Sequence, residues 1–241
     1  MRYPPAKESL AVSFIVLLTT LIAIHATGAV RIGPNGERVV QAAGRVELPQ
    51  PVLKGGMSVE EAIATRRSIR KYADEPLTLQ ELGQLLWAAQ GITDEKRGFR
   101  AAPSAGATYP LELFVAVRAG GVVGLEAGIY SYDPWTHSLA LVRSGDFGDE
   151  LADAALGQEW VRRAPVCIII AANYSRTTSV YGSRGVRYVH MEAGHVGQNI
   201  YLQATALGLG TVAVGAFYDG DVAEILRTEL APLYIFPVGR R

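Results

Sequence analysis

Tyr188-Val189-His190-Met191-Glu192-Ala193-Gly194-His195-Val196-Gly197-Gln198-Asn199-Ile200-Tyr201-Leu202-Gln203-Ala204-Thr205-Ala206-Leu207 carries the strongest helical pattern in the chain. Val189, Ala193, Val196, Ile200, Ala204 and Leu207 recur at intervals of 4, 3, 4, 4 and 3, which places one apolar stripe along an α-helix. Gly194 and Gly197 permit another helix to approach closely, and Gly208 is a suitable C-cap. Before this helix, Val166 to Ala171 reads as a buried strand. After it come a strand from Thr211 to Val214, a helix from Asp219 or Asp221 to about Leu230, and a last strand from Leu233 to Val238. On the N-terminal side, Ser58 with Glu61 and Thr78 with Glu81 are capping-box pairs. They open one helix running to about Arg66 and another that carries Leu82, Leu85, Leu86 and Ala89 up to Gly91. Leu113 to Val117 is a strand, Gly128 to Tyr132 and Leu139 to Val142 form a hairpin about Asp133-Pro134, and Phe147 to Leu156 is a short helix. Helices and strands are interspersed and a hairpin stands among them, so the fold class is α+β. No internal repeat is visible.

The chain has 241 residues, 49% of them hydrophobic, enough for one medium domain with an appendage. Lys+Arg and Asp+Glu both number 23, so no global field recruits nucleic acid. The lone cysteine, Cys167, lies in an apolar strand and reads as buried filler.

Ser9 to Val30 contains no Asp, Glu, Lys or Arg. That is long enough to cross a bilayer, which takes about 20 residues. Residues 1–30 therefore read as a hydrophobic helix anchoring the chain to a membrane. A cleaved export signal, with Thr27-Gly28-Ala29 as its small-residue site, is the competing reading. Arginines and lysines flank both sides, so the membrane face stays open. Residues 31–56 mix Gly, Pro and scattered charge and read as a tether; residues 57–241 form the domain.

Within a neutral chain, Arg66-Arg67-Ser68-Ile69-Arg70 packs three guanidiniums and a hydroxyl into five residues. Always-charged, multi-pronged donors of this kind suit a phosphate. Arg66 and Arg70 could reach one anion if the chain turns between them, and Arg240 would have to arrive from the far end. Gly106 and Ala107 leave room for a flat ring against backbone. Other chemistries fit less well. Gly208-Leu209-Gly210 follows a helix and precedes a strand, the reverse of a dinucleotide loop. His190 and His195 stand five apart, roughly 140° around a helix of 3.6 residues per turn, which is not zinc-ligand spacing. Gly182-Ser183-Arg184-Gly185 lacks the spacing of a nucleophile elbow.

The sequence resembles the FMN-dependent nitroreductase family from about Leu48 to Arg241, and within it the SagB-type dehydrogenases. The resemblance rests on six stretches: Arg66 to Arg70; Leu85-Leu86-Trp87-Ala88-Ala89-Gln90-Gly91; Pro103-Ser104-Ala105-Gly106-Ala107-Thr108-Tyr109-Pro110-Leu111-Glu112; Gly194-His195-Val196-Gly197-Gln198-Asn199; Leu207-Gly208-Leu209-Gly210; and Pro237-Val238-Gly239. It implies a mixed sheet surrounded by helices, and a homodimer with FMN at each subunit junction and the long helix in the dimer core. It implies phosphate contacts from Arg66, Ser68, Arg70 and Arg240, with Arg67 near the ribityl chain or ring oxygens. Pro103, Ser104, Ala105 and Gly106 of the other subunit would line the flavin. Val214, Gly215 and Ala216 would present a backbone N–H to flavin N5. Tyr181 is the candidate proton relay, and the substrate a small molecule or a peptide. One position departs from the azoline-oxidising members: Val180 stands where they carry lysine before Tyr181. A tethered flavin protein without catalysis and an NAD(P)H-dependent nitroreductase are the alternative readings.

Overall fold

The run Val166–Ala172 is buried at every position, and its two faces serve two different cores. Val166, Ile168, Ile170 and Ala172 belong to one cluster and Cys167, Ile169 and Ala171 to the other, as the two-residue period of a strand requires. The chain is therefore layered about this strand, with helices on both faces of a sheet.

The computed structural model describes residues 29–32, 38–42 and 44–241, with side chains from residue 44 onward. In chain order the elements are β1 (Ala29–Ile32), β2 (Arg38–Ala42), β3 (Arg45–Glu47), α1 (Val59–Thr65), α2 (Leu79–Gln90), β4 (Ile92–Asp94) and β5 (Phe99–Arg100). A 3-10 turn at Ala105–Ala107 leads into β6 (Leu111–Val117), β7 (Gly128–Asp133), β8 (Ser138–Ser144), α3 (Gly148–Ala154), α4 (Glu159–Arg162) and β9 (Val166–Ala172). Then follow α5 (Tyr174–Tyr181), α6 (Arg184–Ala206), β10 (Leu209–Thr211), α7 (Asp219–Leu226) and β11 (Ala231–Arg240). The main sheet runs in the order β1-β2-β3-β8-β7-β6-β9-β11-β10, and β4 with β5 makes a separate ribbon. Residues of α2 and α6 fill the core on one face; those of α3, α4 and α7 fill it on the other.

Four expectations change. The sheet was expected to be mixed, yet every pairing between its strands is antiparallel. Parallel pairing among the described residues is confined to the isolated bridge Leu77–Val122. Part of the expected tether is sheet: β3 pairs with β8, and Val46 and Leu48 are buried. The alternation Arg45, Val46, Glu47, Leu48 is the period-two signal for it. The long helix starts at Arg184 rather than Tyr188, and α5 precedes it. Helix α5 is polar and rich in Ser and Thr, so it has no apolar stripe to read; its start is marked by the Asn173 side chain, which accepts from Ser175 N–H at 3.2 Å. Finally, Ser58 caps α1 by accepting from Glu61 N–H at 3.1 Å without a return bond, whereas Thr78 and Glu81 close the full box on α2. The anchor or signal reading of residues 1–30 falls outside the described residues except for the first two residues of β1. Among the described residues no helix is long and apolar enough to cross a membrane.

The arginine stretch lies against the β10–β11 edge. Ile69 N–H donates to Thr211 C=O at 2.9 Å. Gly210 and Gly239 are partners in the β10–β11 register, and both are needed without side chains. A Cβ on Gly210 would sit 2.6 Å from Ile69 Cγ2, and one on Gly239 would sit 2.7 Å from Tyr72 Cβ. The Tyr72 hydroxyl, within reach of the carbonyls of Ile69 at 3.1 Å and Pro237 at 3.2 Å, closes the same contact. The glycines of two of the family-like motifs thus seat the arginines. Gly239→Ala is expected to destabilise the domain by about 1–3 kcal/mol, the usual range for overpacking, as read from the urea unfolding midpoint.

Candidate active site

Tyr201, on α6, gathers the separate parts of the site. Its hydroxyl accepts from Ala213 N–H at 2.8 Å and shares a hydrogen bond with Ser68 Oγ at 3.0 Å. With its oxygen already engaged by the amide, the phenol hydrogen is free to point at Ser68. The Arg66 guanidinium stacks over the Tyr201 ring, 5.0 Å from its centroid. Arg66, Ser68 and the chain entering Val214-Gly215-Ala216 therefore meet at one side chain, which sequence reasoning passed over. The signal available was a tyrosine beside the apolar stripe of the long helix.

The remaining arginines divide. Arg70 stacks on Trp160 of α4 at 5.4 Å, so it leaves the stretch toward a different neighbour from Arg66. Arg67 donates from one Nη to the carbonyls of Ala64 at 3.0 Å and Arg66 at 2.7 Å. None of the three has a carboxylate partner among the described residues. Arg240 meets the same segment just beyond Arg70, its C=O accepting from Ala73 N–H at 2.9 Å. It forms a two-pronged pair with Glu81 at 3.0 and 2.9 Å and donates to Pro76 C=O at 3.2 Å. Glu81 is also the carboxylate that caps α2, so Arg240 ties the end of β11 to that helix. Arg241, which sequence reasoning omitted, donates to Leu209 C=O at 3.0 Å on β10.

At the N5-type segment, Val214 uses its N–H and C=O to pair with Ile235 at 2.8 and 2.9 Å. Gly215 and Ala216 are exposed, and their N–H groups have no acceptor among the described residues. Ala216 C=O accepts from Gln158 Nε2 at 2.8 Å, which holds the segment in place. Of the three, Gly215 and Ala216 can offer a backbone donor to a ligand and Val214 cannot.

Pro103-Ser104-Ala105-Gly106 leads through a strained turn. Gly106, Ala107 and Tyr109 have φ of 59°, 52° and 43°, a left-handed conformation that costs about 1–3 kcal/mol at each non-glycine residue. Surrounding bonds hold it. Ser104 Oγ accepts from Tyr109 N–H at 2.9 Å, Thr108 and Thr177 hydroxyls pair at 2.7 Å, and Arg176 donates to Tyr109 C=O at 3.0 Å. Tyr181 belongs here: a Cβ on Gly106 would lie 2.6 Å from its hydroxyl. Its ring meets that of Tyr188 edge-on at 5.1 Å. The candidate proton relay and the candidate ring-lining segment are therefore in contact within one chain. Val180 beside it is exposed. Cys167, as expected, is buried, and burial pushes its thiol up to about 12.

These parts match a known family. The Nitroreductase family model matches residues 63–240, and the chain belongs to that family of oxidoreductases. A Methanocaldococcus jannaschii protein named as a nitroreductase is 57% identical over 185 residues, covering 77% of this chain and 92% of the relative. The FMN reductase [NAD(P)H] of Bacillus subtilis is 24% identical over 192 residues, covering 75% of this chain and 62% of that one. The crystal structure of a Ralstonia eutropha protein described as a nitroreductase superposes with a TM-score of 0.72 at 26% identity, covering 100% of this chain and 98% of that chain. The fold is the nitroreductase α+β fold, and the chain is a flavoprotein by family. Tyr201→Phe removes both hydroxyl links while keeping the ring. It is expected to lower stability by about 1–2 kcal/mol in urea unfolding, with the fold retained by circular dichroism.

Proposed function

We propose that this chain is an FMN-dependent oxidoreductase of the SagB-type branch, working as a homodimer on a small or peptidic substrate. One observation carries the reading: Tyr201 holds Arg66 and Ser68 beside the chain that enters Gly215. Guanidiniums without carboxylate partners among the described residues, next to a hydroxyl, fit the phosphate of FMN; exposed N–H groups without acceptors among those residues fit the polar edge of its ring. Arg66, Ser68, Arg67 and Arg70 are the residues assigned to the phosphate and ribityl end, and Gly215 and Ala216 to the ring. Pro103 to Gly106 is assigned to the ring from the second subunit. Arg240 is assigned to structure, because Glu81 already neutralises it.

FMN, when bound, supplies hydride transfer at N5. The protein's own part is to hold it and to place a proton. Fixed N–H dipoles stabilise negative charge where it develops, at no reorganisation cost. The Tyr181 hydroxyl, lying on Gly106, is the group in place to donate a proton to a substrate on that face. Val180 supplies no base, so removal of a substrate proton has one titratable neighbour fewer than in azoline oxidation. That favours reduction of an acceptor over azoline oxidation as the chemistry. Anchoring of the protein to a membrane through residues 1–30, or its export, remains part of the proposal.

The purified full-length chain is expected to be yellow and to hold one FMN per subunit. Arg66→Ala should weaken FMN by about tenfold or more, the worth of one charged hydrogen bond. Arg240→Ala should leave FMN affinity within about twofold on the same scale while lowering the melting temperature. A colourless protein that fails to take up FMN contradicts the reading. So does an Arg240→Ala variant that folds normally but loses FMN.

A further inference from the structure

One cluster of buried polar groups is used by nothing described so far. Glu192 projects from α6 and is 2% exposed; Gln90, the last residue of α2, is 1% exposed. Arg100, in β5, donates from Nη1 to Gln90 Oε1 at 3.2 Å and stacks over Tyr109 at 4.7 Å. Three atoms of this cluster are buried without a hydrogen-bond partner among the described residues: Glu192 Oε1, Gln90 Nε2 and Arg100 Nε. Two are donors and one is an acceptor, and Gln90 lies beside the Glu192 carboxyl without closing a full hydrogen bond to Oε1. Each such group costs about 1–3 kcal/mol. Apolar residues of similar volume commonly fill such space at no loss of stability. The cluster's neighbour is the Ser104 hydroxyl, which lies beside the Glu192 carboxyl. Ser104 Oγ already accepts from Tyr109 N–H, so its own hydrogen is available to that carboxyl. Ser104 begins the turn that carries Gly106, and Gly106 carries the Tyr181 hydroxyl.

We propose that Glu192 is a positioning residue: with Gln90 and Arg100 it holds Ser104, and so fixes the Pro103–Gly106 segment and the Tyr181 hydroxyl against the ring site. The part concerning the flavin rests on the function proposed above; the part concerning the segment does not. Burial raises the Glu192 carboxyl above its ordinary range, while Ser104, Gln90, Arg100 and His195 act against that rise. Arg100 in turn faces Glu112 and Arg176. A carboxyl raised in the folded state favours folding below its unfolded value and disfavours it as pH climbs through the folded value. Glu192 thus lowers stability once pH passes its folded value, where the ionised carboxylate grips Ser104 most strongly.

The test combines Glu192→Gln, Ser104→Ala and their double variant in the full-length protein. Amide hydrogen exchange of residues 101–109 is measured in flavin-free protein, and FMN affinity by flavin fluorescence from pH 5 to pH 9. Glu192→Gln should be at least as stable as wild type at pH 8, yet exchange faster across 101–109. Ser104→Ala should do the same, with no further increase in the double variant. FMN affinity of wild type should rise about fivefold with pH, the gain of a charged over a neutral hydrogen bond. Glu192→Gln should flatten that rise, and His195→Gln should preserve it. Unchanged exchange in Glu192→Gln, additive effects in the double variant, or an unchanged pH profile in an FMN-binding protein would each overturn the proposal. If no variant nor wild type binds FMN while exchange responds as stated, the flavin reading falls and the positioning role of Glu192 stands.

Discussion

Two glycines facing each other across β10 and β11 decide how closely the chain between α1 and α2 can lie on the edge of the sheet. Gly210 receives Ile69 and Gly239 receives Tyr72, each at a distance that one added methyl group would occupy. Everything proposed for the site follows from that seating. With Ile69 bonded to Thr211, the residues on either side of it present Ser68 toward α6 and Arg70 toward α4. Tyr201 then converts proximity into connection, because one hydroxyl contacts both the arginine stretch and the chain after β10.

Much of this was legible in the residues. The apolar period of α6, the cap on α2 and the unbroken apolar run of β9 are local signals that tertiary packing reinforced. The three arginines could be read as an anion site because a neutral chain has no reason to concentrate charge there. What could not be read was which long-range partner each group would meet. Arg240 looked like a fourth phosphate ligand from its motif. Only the meeting of β11 with α2, 159 positions apart in sequence, shows that Glu81 is the carboxylate it meets. Helix α5 was invisible for a different reason: its Ser, Thr and Tyr residues form no stripe, and it is held by packing on α6. The segment 45–48 was hidden in a stretch that mixes Gly, Pro and scattered charge, although its alternation follows the strand rule.

The site and the core make opposite demands on stability. The sheet and its two helical layers bury apolar side chains on both faces. Around Ser104 the balance reverses, with left-handed Ala107 and Tyr109 and the unpartnered atoms of Gln90, Arg100 and Glu192. Strain and unsatisfied polarity meeting against the segment that contacts Tyr181 are what a preorganised site looks like when the rest of the fold holds it in shape.

The central claim is that the seated arginine stretch holds the phosphate of FMN. Calorimetric titration of the wild-type protein with FMN and with riboflavin, which has the same ring and no phosphate, tests it most directly when repeated on Arg66→Ala. The account predicts that FMN binds at least about tenfold more tightly than riboflavin and that Arg66→Ala abolishes most of this preference without weakening riboflavin. Equal affinity for the two ligands in wild type, or a preference that survives in Arg66→Ala, would contradict it.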